Sequence, residues 1–132
     1  MKNILLDTNA YVALLRGDEK VLEAVAIAEN VYMSVIVLGE LFDGFRGGSR
    51  LPKNRKLLDQ FLSCPHVHLL SLGLETADVF GEIKQQLKKS GNPIPINDVW
   101  IAAHSVENGA VLITYDKHFK MVFGLRLWDE LK

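Results

Sequence analysis

Two short runs, Ile4-Leu5-Leu6 and Val111-Leu112-Ile113, are wholly apolar, and an acid follows each within a few residues. Runs this short suit strands, and their lack of in-out alternation means that both faces are covered. That restricts the chain to a sheet whose central strands lie between helices. Val31-Tyr32-Met33 and Val67-His68-Leu69-Leu70 read as further strands, and Leu125-Arg126-Leu127-Trp128 as a last, more exposed one.

Helical stripes fill the intervals. The cap-type residues Asp7-Thr8-Asn9 precede Ala10 to Leu15, and Asp18 caps a helix carrying Val21, Leu22, Val25 and Ala26. Ser34 opens a third helix through Leu38, Leu41, Phe42 and Phe45, which stops near Gly47-Gly48. Leu57, Leu58, Phe61 and Leu62 mark a fourth, ended by Pro65; Ala77, Phe80, Ile83 and Leu87 mark a fifth, broken at Ser90 to Pro93. A sixth runs from about Asp98 to Glu107, with Asn108-Gly109 as its stop. This alternation predicts an α/β fold, a central and mainly parallel β-sheet flanked by α-helices, with residues 1-132 forming a single domain.

Charge and cysteine usage narrow the function. Fifteen basic and sixteen acidic side chains leave a formal charge of -1, so bulk electrostatics do not hold nucleic acid and any such contact is local. The lone Cys64 supports neither an internal disulfide nor a structural zinc site, which fits a reducing cytoplasm. Only three apolar residues precede Asp7, so no signal-peptide core is expected, and no run approaches membrane-spanning length.

In an open parallel sheet, ligands sit beyond the carboxyl ends of the strands. Asp7 follows the first strand, Asp116 lies just past the Val111 strand, Glu40 sits about two turns into the third helix, and Asp98 opens the sixth. Taken singly, each has an ordinary explanation as a cap, a turn residue or a solvated helix residue. Glu40, however, lies in the otherwise apolar Ser34-Val35-Ile36-Val37-Leu38-Gly39-Glu40-Leu41-Phe42, where a charge is costly unless it is paired or binds a metal. Two carboxylates about 5 Å apart repel by roughly 3 kcal/mol at an effective dielectric near 20. Protonating one at pH 7 costs about 4 kcal/mol. With several such neighbours, the cluster either holds a proton or takes a hard cation, magnesium or manganese, with oxygen ligands.

At these residues the chain resembles the PIN-domain ribonucleases, particularly the small VapC-type toxins of toxin-antitoxin pairs. The matching segments are Leu5-Leu6-Asp7-Thr8-Asn9, Ser34 to Leu41, Asn97-Asp98-Val99-Trp100-Ile101-Ala102-Ala103, and Leu112-Ile113-Thr114-Tyr115-Asp116-Lys117-His118-Phe119. The resemblance implies that Asp7, Glu40, Asp98 and Asp116 are the metal-binding and catalytic acids, with Asp116 the most variable. It implies that Thr8, Asn9 and Thr114 support them by hydrogen bonds. It further implies magnesium-dependent cleavage of RNA, a homodimer, and a VapB-type antitoxin whose tail occupies the groove and presents an arginine to the acids.

The basic stretch from Arg46 to Lys56 reads as a loop able to grip RNA phosphates, with Arg46, Arg50 and Lys53 as candidate contacts. Among the histidines, His104 reads as a hydrogen-bonded packing residue, and no His pair has metal-ligand spacing; His118 follows the acidic turn, a position that could lie near substrate. Trp100, Tyr11 and Phe42 are expected to fill core or interface. A dehalogenase-type phosphatase would need a second Asp two positions after Asp7, where Asn9 stands, and a receiver domain would need an acceptor Asp after a middle strand. The remaining alternative is a catalytically silent PIN-like domain that binds RNA or protein; silent relatives would be expected to lose core acids, and all four positions are filled.

Overall fold

A computed structural model describes residues 2 to 128. Its elements run β1 (Asn3–Leu6), α1 (Thr8–Leu15), α2 (Glu19–Ile27), β2 (Asn30–Ser34), α3 (Val35–Arg46), α4 (Leu51–Leu62), β3 (Val67–Leu70), α5 (Leu74–Ser90), α6 (Ile96–Glu107), β4 (Val111–Ile113), a 3-10 turn (Lys117–Met121) and β5 (Arg126–Leu127). The strands form one sheet in the order β3-β2-β1-β4-β5, and every pairing is parallel. The expected α/β architecture is therefore present.

Why β1 and β4 can be so apolar is plain from their place in the sheet. Ile4, Leu5 and Leu6 have no exposed surface although successive side chains point to opposite faces, so both faces of the central strand are covered. Val111, Leu112 and Ile113 are likewise buried beside them. β5 lies at the sheet edge with Arg126 exposed, yet Trp128, just past the strand, is buried and donates its Nε1 hydrogen to the Thr114 carbonyl at 2.9 Å.

The chain runs outward from β1 through β2 to β3, then crosses back to place β4 on the other flank of β1. That reversal makes the carboxyl ends of β1 and β4 the topological switch point, where adjoining crossovers part and leave a crevice. The register Leu6↔Ile113 sets the next residues, Asp7 and Thr114, side by side, and the Asp7 amide donates to the Ile113 carbonyl at 3.3 Å.

Three boundaries differ from the sequence expectation. α1 begins at Thr8 because Asp7 itself is the N-cap, its Oδ1 accepting the Ala10 amide at 2.8 Å, so Thr8 and Asn9 lie within the helix. α6 begins two residues before Asp98, at Ile96, with Pro95 as N-cap; Asp98 thus stands in the first turn, where the helix dipole favours an anion. The basic stretch is only partly a loop: α3 continues through Arg46, a short turn spans 47–50, and α4 starts at Leu51 with Pro52 in its first turn, a position that tolerates proline because the amide there has no helical partner.

Candidate functional site

The β1–β4 switch point and the starts of two helices deliver the acids. Asp7 leaves β1 and is 5% exposed, held by the Ala10 amide and by the Thr114 side chain. Burial raises its carboxyl from 3.8 to about 6, the charges of Asp98 and Asp116 add to the rise, and those hydrogen bonds only partly oppose it. Burial also pushes the Asp98 carboxyl above its usual range, with Glu40 and Asp116 adding to it, against the opposing His118. The four acids therefore feel one another as a connected set.

Glu40 projects from α3 and is fixed by both oxygens. Thr8 Oγ1 donates to its Oε1 at 2.5 Å and Asn97 Nδ2 to its Oε2 at 3.4 Å, so α1 and α6 both grip the α3 carboxylate. Asp116 caps the 3-10 turn, its Oδ1 accepting the His118 amide at 3.2 Å, while Thr114 Oγ1 accepts the Asp116 amide at 2.9 Å.

His118 stands between two acids. Its Nε2 lies 2.7 Å from Asp98 Oδ2 and its Nδ1 2.8 Å from Asp116 Oδ1. The Nε2 atom is buried and, although this close to Asp98, makes no aligned hydrogen bond. One ligand atom from each of Asp98, Asp116 and His118 falls within 4.8 Å of the others, a grouping that can hold a metal ion. Asp7 and Glu40 stand outside this tight group: one Asp7 oxygen caps α1, and Glu40 is held by Thr8 and Asn97. The donor set of hard carboxylate oxygens, together with a buried ring nitrogen lacking an aligned partner, fits a divalent cation.

Other candidates fall differently. Asn9 is exposed and donates to none of the acids among the described residues, because one helical step turns it about 100° from Thr8 and out to solvent. The expected supporting role of Asn9 is not found, and Asn97 occupies that role toward Glu40 instead. Arg46, Arg50 and Lys53 are exposed; Arg46 lies six residues beyond Glu40 on α3, about 9 Å along the axis. Trp100 stacks on Phe80 with centroids 3.9 Å apart, and Tyr11 packs against Phe61, so neither is a free platform for bases.

Behind the acids, His104 is buried on α6, with Nδ1 2.8 Å from Ser34 Oγ and Nε2 3.1 Å from the Ser71 carbonyl. The neutral ring satisfies both contacts by donating from Nε2 and accepting from the Ser34 hydroxyl, and burial holds its proton affinity below that of a free histidine. Since Ser34 caps α3, this contact braces the helix of Asp98 against the helix of Glu40.

A family model described as PIN domain matches residues 4–123. Ribonuclease VapC1 of Haemophilus influenzae is 31% identical over 133 residues, covering 97% of this chain and 98% of that protein. Ribonuclease VapC2 of Rickettsia felis is 32% identical, covering 96% of this chain and 98% of its own length. Among solved structures, VapBC2 from Rickettsia felis, bound to a DNA fragment from its promoter, superposes with a TM-score of 0.82 at 28% identity, over 96% of this chain and 97% of that one.

Proposed function

The chain belongs to the PIN-domain family and, within it, to the VapC ribonucleases, and on that footing we propose that it is a divalent-metal-dependent endoribonuclease, the toxin of a VapBC-type pair, silenced by a cognate antitoxin. The observation that carries this reading is the convergence of Asp7, Asp98 and Asp116, with Glu40 acting on Asp98, at the carboxyl edge of a parallel sheet.

Asp98 and Asp116, with Asp7 and Glu40 beside them, would hold a divalent cation, magnesium or manganese. When bound, the ion supplies positive charge that acidifies a water molecule and stabilises the phosphoryl oxygens during in-line displacement. The protein does the rest. Thr8 and Asn97 orient Glu40, and Thr114 with the Ala10 amide orients Asp7. Asp7, whose carboxyl is raised to about 6 in the metal-free protein, would be kept in its charged form by the cation it holds. Arg46, Arg50 and Lys53 supply the local positive charge for RNA phosphates that the net charge of -1 does not.

The same acids suit a guanidinium, which brings delocalised charge and paired donors to carboxylates. An arginine on the antitoxin tail would therefore close the site by replacing the cation, and a homodimer is the form in which the pair assembles.

Incubating the protein and its Asp98→Asn variant with total cellular RNA, with magnesium and with chelator, tests the reading once new RNA ends are mapped by sequencing. A discrete cut made only by the parent and only with metal is expected. Equal cutting by the variant, or cutting in chelator, would overturn the metal assignment. Absence of any cut alongside retained RNA binding would favour a silent binding domain.

A further inference from the structure

The ring of His118 is held on two sides by acids. Its backbone amide and its Nδ1 both address Asp116 Oδ1, at 3.2 and 2.8 Å, and its neighbour Phe119 is 1% exposed and anchors the 3-10 turn in the core. Each ring nitrogen therefore lies within ion-pair distance of a carboxylate oxygen, Nδ1 beside Asp116 and Nε2, a buried atom without an aligned hydrogen bond, beside Asp98. A ligating histidine keeps one nitrogen for the ion and turns the other toward a carboxylate, and this ring has a carboxylate oxygen on its Nδ1 side and an unsatisfied Nε2.

Building on the metal-dependent reading above, we propose that His118 Nε2 is a nitrogen ligand of the metal site, oriented by Asp116, and that it makes the site prefer Mn2+ to Mg2+. Magnesium takes near-ideal octahedral oxygen shells and gains little from an imidazole, whereas manganese accepts mixed oxygen and nitrogen shells and lies higher in affinity for imidazole donors. Asp98 and Asp116 would supply carboxylate oxygens beside the ring nitrogen, and Asp116 would also hold the ring in place. The other three histidines are placed elsewhere: His104 is held by Ser34 and Ser71, His68 by Asn30, and His66 lies in the turn before β3.

The test uses the full chain with Mn2+ and Mg2+ and needs no RNA. Calorimetric titration gives the affinity for each ion, and pulsed electron paramagnetic resonance of bound Mn2+ reports a directly coordinated histidine nitrogen. The parent is expected to show the 14N modulation of a coordinated imidazole. In His118→Gln the modulation disappears and the Mn2+ affinity falls by about 10- to 100-fold, as for other ligand-shell losses, with a much smaller change for Mg2+. Circular dichroism melting confirms that the variant is folded, and the spectrum of the unaltered protein stands on its own if it is not.

Manganese bound in the parent, lost in Asp98→Asn, but without nitrogen modulation overturns the His118 assignment and leaves the metal-dependent nuclease reading standing. Equal Mn2+ to Mg2+ preference in the parent and in a folded His118→Gln overturns the selectivity. No binding of either ion to the parent overturns both readings together.

Discussion

Thr8 Oγ1 donates to Glu40 Oε1 across 32 positions of sequence, at 2.5 Å, and so joins the first turn of α1 to the middle of α3. A carboxylate on a helix has several rotamers; this hydrogen bond, with the weaker one from Asn97, selects one of them. Thr8→Val keeps the shape and removes the donor. Metal affinity and RNA cleavage are expected to fall by about 10- to 100-fold, and Thr8→Ser should restore most of the loss. Calorimetry with Mn2+ checks this, and an unchanged affinity in Thr8→Val would show that Glu40 does not need its partner.

Asp7 serves as helix cap and as buried charge, and substitution separates the two. Its folded carboxyl binds a proton more tightly than the unfolded one, so its stabilising contribution is complete below pH about 4 and is lost as pH rises through about 6. A rise from 3.8 to about 6 corresponds to at most about 3 kcal/mol. Asp7→Asn keeps a capping oxygen and discards the charge. In chelator it should melt above the parent at pH 7.5, with the gap closing toward pH 4. Asp7→Ala loses the cap as well and should fall below Asp7→Asn by about 1 kcal/mol. A parent that melts above Asp7→Asn at pH 7.5 in chelator would contradict the burial argument.

His104 titrates with the opposite sign. Burial favours its neutral form in the folded state, so its contribution is complete above the unfolded value near 6.5 and declines as pH falls below it. His104→Leu removes both hydrogen bonds and leaves the Ser71 carbonyl without this donor, which should cost about 1 to 3 kcal/mol at pH 7.5. The deficit relative to the parent should shrink at pH 5.5, where the parent bears the penalty of an uncharged ring. Urea melts at the two pH values give the answer, and a deficit that grows on acidification would refute it.

Replacing Arg46, Arg50 and Lys53 together with alanine removes exposed charge without disturbing the core, so stability should stay within about 0.5 kcal/mol per site. If these residues meet RNA, KM rises while kcat holds. The slope of log affinity against log salt should then flatten by about 0.7 for each phosphate no longer neutralised. An unchanged salt slope would place the RNA on another surface.

The strands were readable because a sheet covered on both faces leaves apolar runs such as Ile4-Leu5-Leu6, a signal that depends on local sequence alone. The β1–β4 register sets Asp7 beside Thr114, and the turn after Thr114, whose Oγ1 accepts the Asp116 amide, keeps Asp116 at the same edge. What escaped was set by rotation within turns. A single 100° step separates Thr8, which reaches Glu40, from Asn9, which faces solvent, and cap-type residues in a row conceal which of them is the cap. For His118 the sequence shows only that it follows the acidic turn; that the 3-10 turn folds its ring back onto the acid two residues before it depends on the turn's geometry. The stretch from Arg46 to Lys56 looked like a loop for its charge and its proline, yet proline is at home in the first turn of α4.

The candidate site is divided along the chain. Asp7 and Thr8 come early, Glu40 a third of the way along, Asp98 much later, and Thr114, Asp116 and His118 near the end. β4 is the strand that seats the last group, and it docks against β1, which is synthesised before every other strand of the sheet. A chain still emerging from the ribosome can therefore hold most of its acids and no working centre, because the sheet's middle is closed by an early strand meeting a late one. If the finished chain cuts RNA as proposed, that activity arrives only once β4 has met β1, late in synthesis.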